Sequence, residues 1–171
     1  MGVRVCFEGA SLKSDRMVEE LKTIKERAFE TEIKRLQEGA LRNSAHIQWF
    51  HVEDRFSPMG VKMIGIFCET IQNTSLIDPQ RYIAGFQVIP NEIPGFGPIG
   101  FNQVKISMRV SPYMEEEIRA GRAMGLDVVL PEATNRLGGF SDACHSLTAA
   151  TTVAIGKEVE LIEEMERILG R

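Results

Sequence analysis

Between residues 45 and 88 the spacing of apolar residues changes twice, and that change restricts the chain to folds that combine a sheet with helices. Residues 45–52 (AHIQWFHV) alternate as a strand does, with Ile47 and Trp49 on one face and Gln48 and Phe50 on the other. Residues 59–71 instead carry Val61, Ile64, Phe67, Cys68 and Ile71 as a helical stripe. A polar turn over 73–80 then leads to a second strand, 81–88 (RYIAGFQV).

The remaining segments extend this alternation. Residues 14–38 have Met17, Leu21, Ile24, Ala28, Ile33 and Leu36 at helical spacing, with Ser14 or Asp15 as the start and Gly39 as the end. This helix reads either as a packed surface helix or as a connector or partner-docking helix. Residues 1–7 alternate like a strand. Gly95, Gly97 and Gly100 spell G-x-G-x-x-G, but Pro94 and Pro98 interrupt the motif and a strand follows it, whereas a dinucleotide fingerprint needs a helix there. Residues 89–101 therefore read as a Gly/Pro hairpin loop. A strand over 101–110 precedes a helix that Ser111 and Pro112 begin, and a short helix runs to Leu137. A strand near 148–155 and a helix over 157–169 complete the chain. The expected fold is α/β, or alternatively α+β: a mixed sheet of about four to five strands with helices packed on it.

Bulk properties narrow the function classes. The chain has 171 residues and a formal net charge of −4, so any attraction for nucleic acid must come from a local patch. Its 3 cysteines, Cys6, Cys68 and Cys144, are scattered and odd in number, which fits a reducing compartment and a cytoplasmic location. No apolar run reaches membrane-spanning length, so no membrane partner is expected. The histidines His46 and His51 fall five apart on a strand, hence on opposite faces, where they cannot share a metal. No Asp-His-His, H-x-E with C-x-x-C, G-x-x-x-x-G-K-[ST] or G-x-S-x-G pattern is present, and no metal site is assigned.

Two stretches carry candidate chemistry. In VKISMRV, Lys105, Ser107 and Arg109 occupy alternate positions and so share one strand face, a spacing suited to neighbouring phosphates or simply to a solvated face. In NRLGGFSDACHSLTAATTV, Gly138 and Gly139 can expose backbone N–H groups to an oxyanion, or can cap and turn a helix. His145 and Ser146 can donate to a phosphate or ribose. Cys144 beside His145 raises a thiol-nucleophile reading, which adjacency disfavours, because a residue rarely serves as base to its neighbour's sulfur.

Together these stretches resemble a known family. IQWFHVEDRFSPMGVKMIGIFCETI, DPQRYIAGFQV, VKISMRV and LGGFSDACHSLTAATTVAIGKEVELIEEMERIL are similar, in order and spacing, to the DHH-associated domain. This is the C-terminal substrate-binding domain of DHH-family phosphoesterases, and the likeness is nearest to archaeal RecJ-like single-strand-specific exonucleases. The resemblance implies residues 45–171 as that domain and 1–44 as an N-terminal strand and connector helix. It implies that the family's S-x-R motif falls on Ser107 and Arg109, with Lys105 two residues earlier. Its glycine-rich G-G-G-H element falls on the 138–150 region, with His145 as the histidine. Asp142, Ala143 and Cys144 stand where glycines usually precede that histidine. The implied function is to hold the phosphates of single-stranded nucleic acid or a short oligonucleotide, with no catalytic residue in this chain. A catalytic DHH domain would be the partner, carrying divalent manganese or magnesium as cofactor; a second copy of the chain is a further candidate partner. The alternative is a non-catalytic module that contacts a protein through the 14–38 helix.

Overall fold

The computed structural model describes residue 9, residues 11–93 and residues 96–171. The strand expected over 1–7 lies outside the described residues, as do Pro94 and Gly95 of the rejected glycine motif. Helices α1 (Leu12–Arg35), α2 (Met63–Ile71), α3 (Pro112–Arg119), α4 (Leu126–Arg136) and α5 (Glu158–Leu169) surround strands β1 (Arg42–Asn43), β2 (Ile47–His51), β3 (Tyr82–Val88), β4 (Glu92–Ile93), β5 (Gly97–Pro98), β6 (Gln103–Arg109), β7 (Phe140–Cys144) and β8 (Thr148–Ala154). The main sheet has six strands in the order β1-β2-β3-β6-β8-β7, and β4 pairs with β5 in a separate hairpin. Strands β2 and β3 are parallel, joined through α2, and every other pairing is antiparallel. The sheet exceeds the expected four to five strands because β1 is two residues long and because β7, read as loop, forms a hairpin with β8. Among the described residues no helix is long and apolar enough to cross a membrane.

Period-two alternation assigns the strand residues to two faces. Ile47 and Trp49, Tyr82, Ala84 and Phe86, Val104, Ile106 and Met108, and Ala149 and Val153 form one core. Leu126, Val129, Leu130 and Ala133 of α4 and Leu161, Ile162, Met165 and Ile168 of α5 cover that face. Covering an apolar face along the whole sheet is what holds β6, β8 and β7 in place.

The opposite face is covered only in part. Phe50 of β2 and Ile83 of β3 pack against Ile64, Phe67, Cys68 and Ile71 of α2 and against Phe29 and Leu36 at the C-terminal end of α1. Phe67 is fully buried, with its ring centroid 5.0 Å from that of Phe29 and 5.5 Å from that of Phe50. Gly85 of β3 lets α2 approach this closely, since a Cβ there would lie 2.7 Å from both Cys68 Sγ and Ile64 Cδ1. Among the described residues α2 reaches across β3 to β6, where Gly65 and Cys68 meet Ser107, and no helix lies over β8 and β7 on this side. The sheet thus has one closed face and one half-open face.

Three local expectations are corrected. Helix α1 starts at Leu12, because Ser11 is the cap: its hydroxyl accepts from Ser14 N, while Ser14 Oγ accepts from Ser11 N at 2.7 Å. The apolar stripe of α1 is buried only in its second half, and Met17 and Leu21 are exposed. His46 and His51 do not point to opposite sides. His46 precedes β2, so alternation does not govern it; its Nδ1 lies 2.7 Å from Glu166, and His51 Nε2 lies 3.5 Å from Glu158, both carboxylates belonging to α5.

Candidate phosphate-binding cleft

The half-open face places the polar side of β6 at the floor of a cleft of about 300 Å³, whose walls include Lys62, Gly65 and Ile66 from α2 and its approach, and Ala143, His145, Thr148 and Ala150 from the β7–β8 hairpin. Lys105, Ser107 and Arg109 all line it. In register, Lys105 faces Thr152, Ser107 faces Ala150 and Arg109 faces Thr148 on β8, so the small Ala150 leaves space above Ser107.

Arg109 is positioned from two sides. Its Nη1 donates to Ser107 Oγ at 3.2 Å and to the Met108 carbonyl at 2.8 Å. Gly65 faces the same groups; a Cβ at that position would lie 3.0 Å from Ser107 Oγ and 3.1 Å from Arg109 Nη2. Gly65 sits in the first turn of α2, whose N-terminal end carries partial positive charge. Neither Arg109 nor Lys62 forms an ion pair among the described residues, which leaves two cations beside a hydroxyl and a helix start. That set matches a phosphate ester, with Arg109 able to use its fork.

Lys105 is already engaged. Its Nζ donates to Asp142 at 2.7 Å, and Lys105, first by hydrogen bond and then by charge, holds the Asp142 carboxyl below its ordinary range. Asp142 is the extra residue of a bulge between Ser141 and Ala143, which turns it out of the β7–β8 register toward Lys105. Asp142 is therefore turned onto a lysine and away from Arg109's end of the cleft.

The second sequence stretch divides. His145 lies in the turn of the β7–β8 hairpin, its N–H donating to the Thr148 carbonyl at 2.7 Å, and it lines the cleft. Gly138 and Gly139 lie elsewhere. They close α4: the N–H of Gly138 donates to Asn135 and that of Gly139 to Thr134, at 3.2 and 3.0 Å, with Gly138 at φ +67°. This is the Schellman arrangement of a helix end. Gly139 also runs against β8, where a Cβ would lie 2.4 Å from the Thr152 carbonyl. Ser146 is exposed and packs toward the start of α4, its carbonyl accepting from Leu126 N at 2.9 Å. Of the seven candidate residues, the cleft gathers Lys105, Ser107, Arg109 and His145.

Lys62, Gly65 and Ile66 escaped the sequence reading because α2 reaches the cleft only through tertiary packing. A glycine inside an apolar helical stripe was the available signal, since such a residue marks close approach. Cys68 and Cys144, the cysteines among the described residues, are not poised as nucleophiles in the cleft. Burial pushes the Cys68 thiol up to about 12, and its Sγ donates to the Ser107 carbonyl at 3.6 Å. Cys144 pairs with Ala149 on the closed face, away from His145, and burial raises its thiol as well. Among the described residues no group of three or more His, Cys, Asp or Glu side chains is placed to hold a metal.

Fold and cleft together define a class: a mixed-sheet α/β domain that leaves half of one face free behind a short crossover helix. Among solved structures, this chain is similar to the C-Ala domain of alanyl-tRNA synthetase from Aquifex aeolicus, with a TM-score of 0.52 and 10% identity over 77% of this chain and 98% of that one. At that identity the likeness is one of fold alone. It is also similar to a DHH domain from a member of a family of ribosomal proteins (TM-score 0.48, 12% identity, 96% of this chain and 33% of that one). A third match is a pGpG-specific phosphodiesterase of Vibrio cholerae (TM-score 0.45, 12% identity, 94% of this chain and 43% of that one). The chain thus spans about a third and under half of those last two proteins. No family model matches the sequence, and no curated protein matches it.

Proposed function

We propose that this domain binds the phosphates of single-stranded nucleic acid or a short oligonucleotide, as the substrate-holding part of a DHH-type phosphoesterase of RecJ-like kind. The observation that carries the reading is the convergence of Lys62, Ser107, Arg109 and His145 on one cleft over an open sheet face, within a chain of net charge −4. A local cationic groove on an acidic body selects anions at that site alone. In this reading Arg109 and Ser107 hold one phosphate, Lys62 and His145 a neighbouring position, and bond cleavage belongs to a metal-dependent catalytic domain, in the cytoplasm. The chain's own residues bind and orient; they supply no nucleophile.

The test is titration of a short labelled single strand at several salt concentrations. Affinity should fall with salt at a slope of roughly −0.7 for each phosphate held, and Arg109→Ala should remove about one such contact and weaken binding roughly tenfold. Absence of binding at low salt, or wild-type affinity in Arg109→Ala, would refute the assignment.

One observation favours a second reading, a protein-docking module. Leu12, Met17, Val18 and Leu21 are exposed on the N-terminal half of α1. An exposed apolar row on a helix is a usual means of engaging a partner. Removing residues 1–25 should leave oligonucleotide binding intact if the cleft reading holds, whereas a docking module would lose its partner.

A further inference from the structure

Phe140 is two-thirds exposed, at 66%, although it stands inside a strand rather than in a loop. Its place is fixed by the sheet. It pairs with Thr152 on β8, and Thr152 pairs with Lys105 on β6, so the three occupy one row on the half-open face. Two strand spacings, roughly 10 Å, separate the Phe140 and Lys105 backbones, and Ser107 and Arg109 follow roughly 7 and 13 Å further along β6, so a strand joining the ring to Arg109 spans more than one nucleotide. The preceding residue, Gly139, presses against the Thr152 carbonyl, which brings β7 tightly onto β8 just where the ring projects. Ser141 and Ala143 flank the bulge that directs Asp142 to Lys105; Ala143 lines the cleft, and Phe140, one residue before the bulge, stands outside that lining on the same face.

An exposed ring in a row with a phosphate-binding strand has a specific physical use. Every nucleobase has a π-face, so an aromatic platform adds affinity without reading sequence, and it does so where bases are unpaired. We propose that Phe140 is a stacking platform for an unpaired nucleobase whose strand lies with its phosphates on Arg109 and Ser107. The proposal rests on the phosphate-binding reading of the cleft and adds the ligand class: a strand with a free base face, in preference to a bare phosphoester or a duplex.

The experiment compares two short single strands of equal length, one normal and one made abasic, titrated against wild type, Phe140→Ala, Phe140→Trp and Arg109→Ala. The two strands carry the same phosphates and differ only in their π-faces. Wild type should prefer the normal strand about tenfold. Phe140→Ala should lose that preference while binding the abasic strand like wild type, and Phe140→Trp should keep it. Because Phe140 is exposed, neither change disturbs the core. Equal wild-type affinity for both strands, with Arg109→Ala still weakening both, overturns the stacking proposal and leaves the phosphate site standing. Absence of binding to either strand overturns both. A dimer in sedimentation that Phe140→Ala abolishes would place a second copy of the chain on this face and overturn the stacking role.

Discussion

Asp142 on β7 reaches across β8 to Lys105 on β6, carboxylate to ammonium at 2.7 Å, and so neutralises one of the cations on the open face. The pair is partly exposed, so its own energy is small, but it sets which end of the cleft is free. Arg109 is at the unoccupied end.

Removing the Asp142 charge should strengthen binding. Asp142→Asn frees Lys105 and is expected to raise affinity for a short single strand about two- to fivefold, with a steeper salt dependence. The sign of the pH effect follows from the same pair. Lys105 holds the Asp142 carboxyl below its ordinary value of 3.8, so the pair's contribution is present above that value and lost as pH falls through the lower folded one. Across the neutral range the Asp142 carboxyl stays ionised, and lowering pH there should not mimic the substitution. Fluorescence anisotropy of wild type and variant checks both statements; unchanged affinity in Asp142→Asn would show that Lys105 takes no part.

Gly65 should behave as a functional glycine and Gly85 as a packing glycine. A methyl at residue 65 meets the Ser107 hydroxyl and the far end of Arg109, so Gly65→Ala should weaken oligonucleotide binding several-fold and cost about 1 kcal/mol or less of stability. A methyl at residue 85 meets Cys68, Ile64 and the Phe50 ring in a closed core, and Gly85→Ala should cost about 1–3 kcal/mol. Urea unfolding read beside binding separates the two. Equal behaviour of the pair would contradict the division between open and closed halves of the face.

Much of the site was legible in the order of residues alone. The period-two pattern of VKISMRV placed Lys105, Ser107 and Arg109 on one face because strand geometry leaves no other choice. The Gly138–Gly139 pair could not be decided between cap and cradle, since both uses need the same backbone freedom; only the hydrogen bonds to Asn135 and Thr134 distinguish them. Strand β7 was hidden because it is an edge strand with a bulge and exposed side chains, so FSDAC lacks the apolar alternation that announces a buried strand. The exposure of Met17 and Leu21 was equally unreadable, because periodicity reports that a helix has an apolar side and not whether anything covers it.

The clamp of α1 on the sheet depends on one ring. Phe67 contacts Phe29, Phe50 and Phe56, and truncating it leaves a cavity beneath both α1 and α2. Phe67→Ala should lower stability by about 3–5 kcal/mol in chemical denaturation, with amide exchange in the second half of α1 rising most. Uniform exchange with no excess in α1 would argue that the helix is held by Glu32 and its partners Arg35 and Arg55 instead.

On the proposed reading, ligand phosphates lie on the half-open face, in the cleft between α2 and the β7–β8 hairpin over β6. Backbone amide shift mapping with a short single-stranded oligonucleotide tests it most directly. Perturbations should concentrate at Lys62, Gly65, Ser107, Arg109, Ala143, His145 and Ala150, and fade in Arg109→Ala. Perturbations centred on α4 and α5 of the closed face, or on the exposed row of α1, would contradict it.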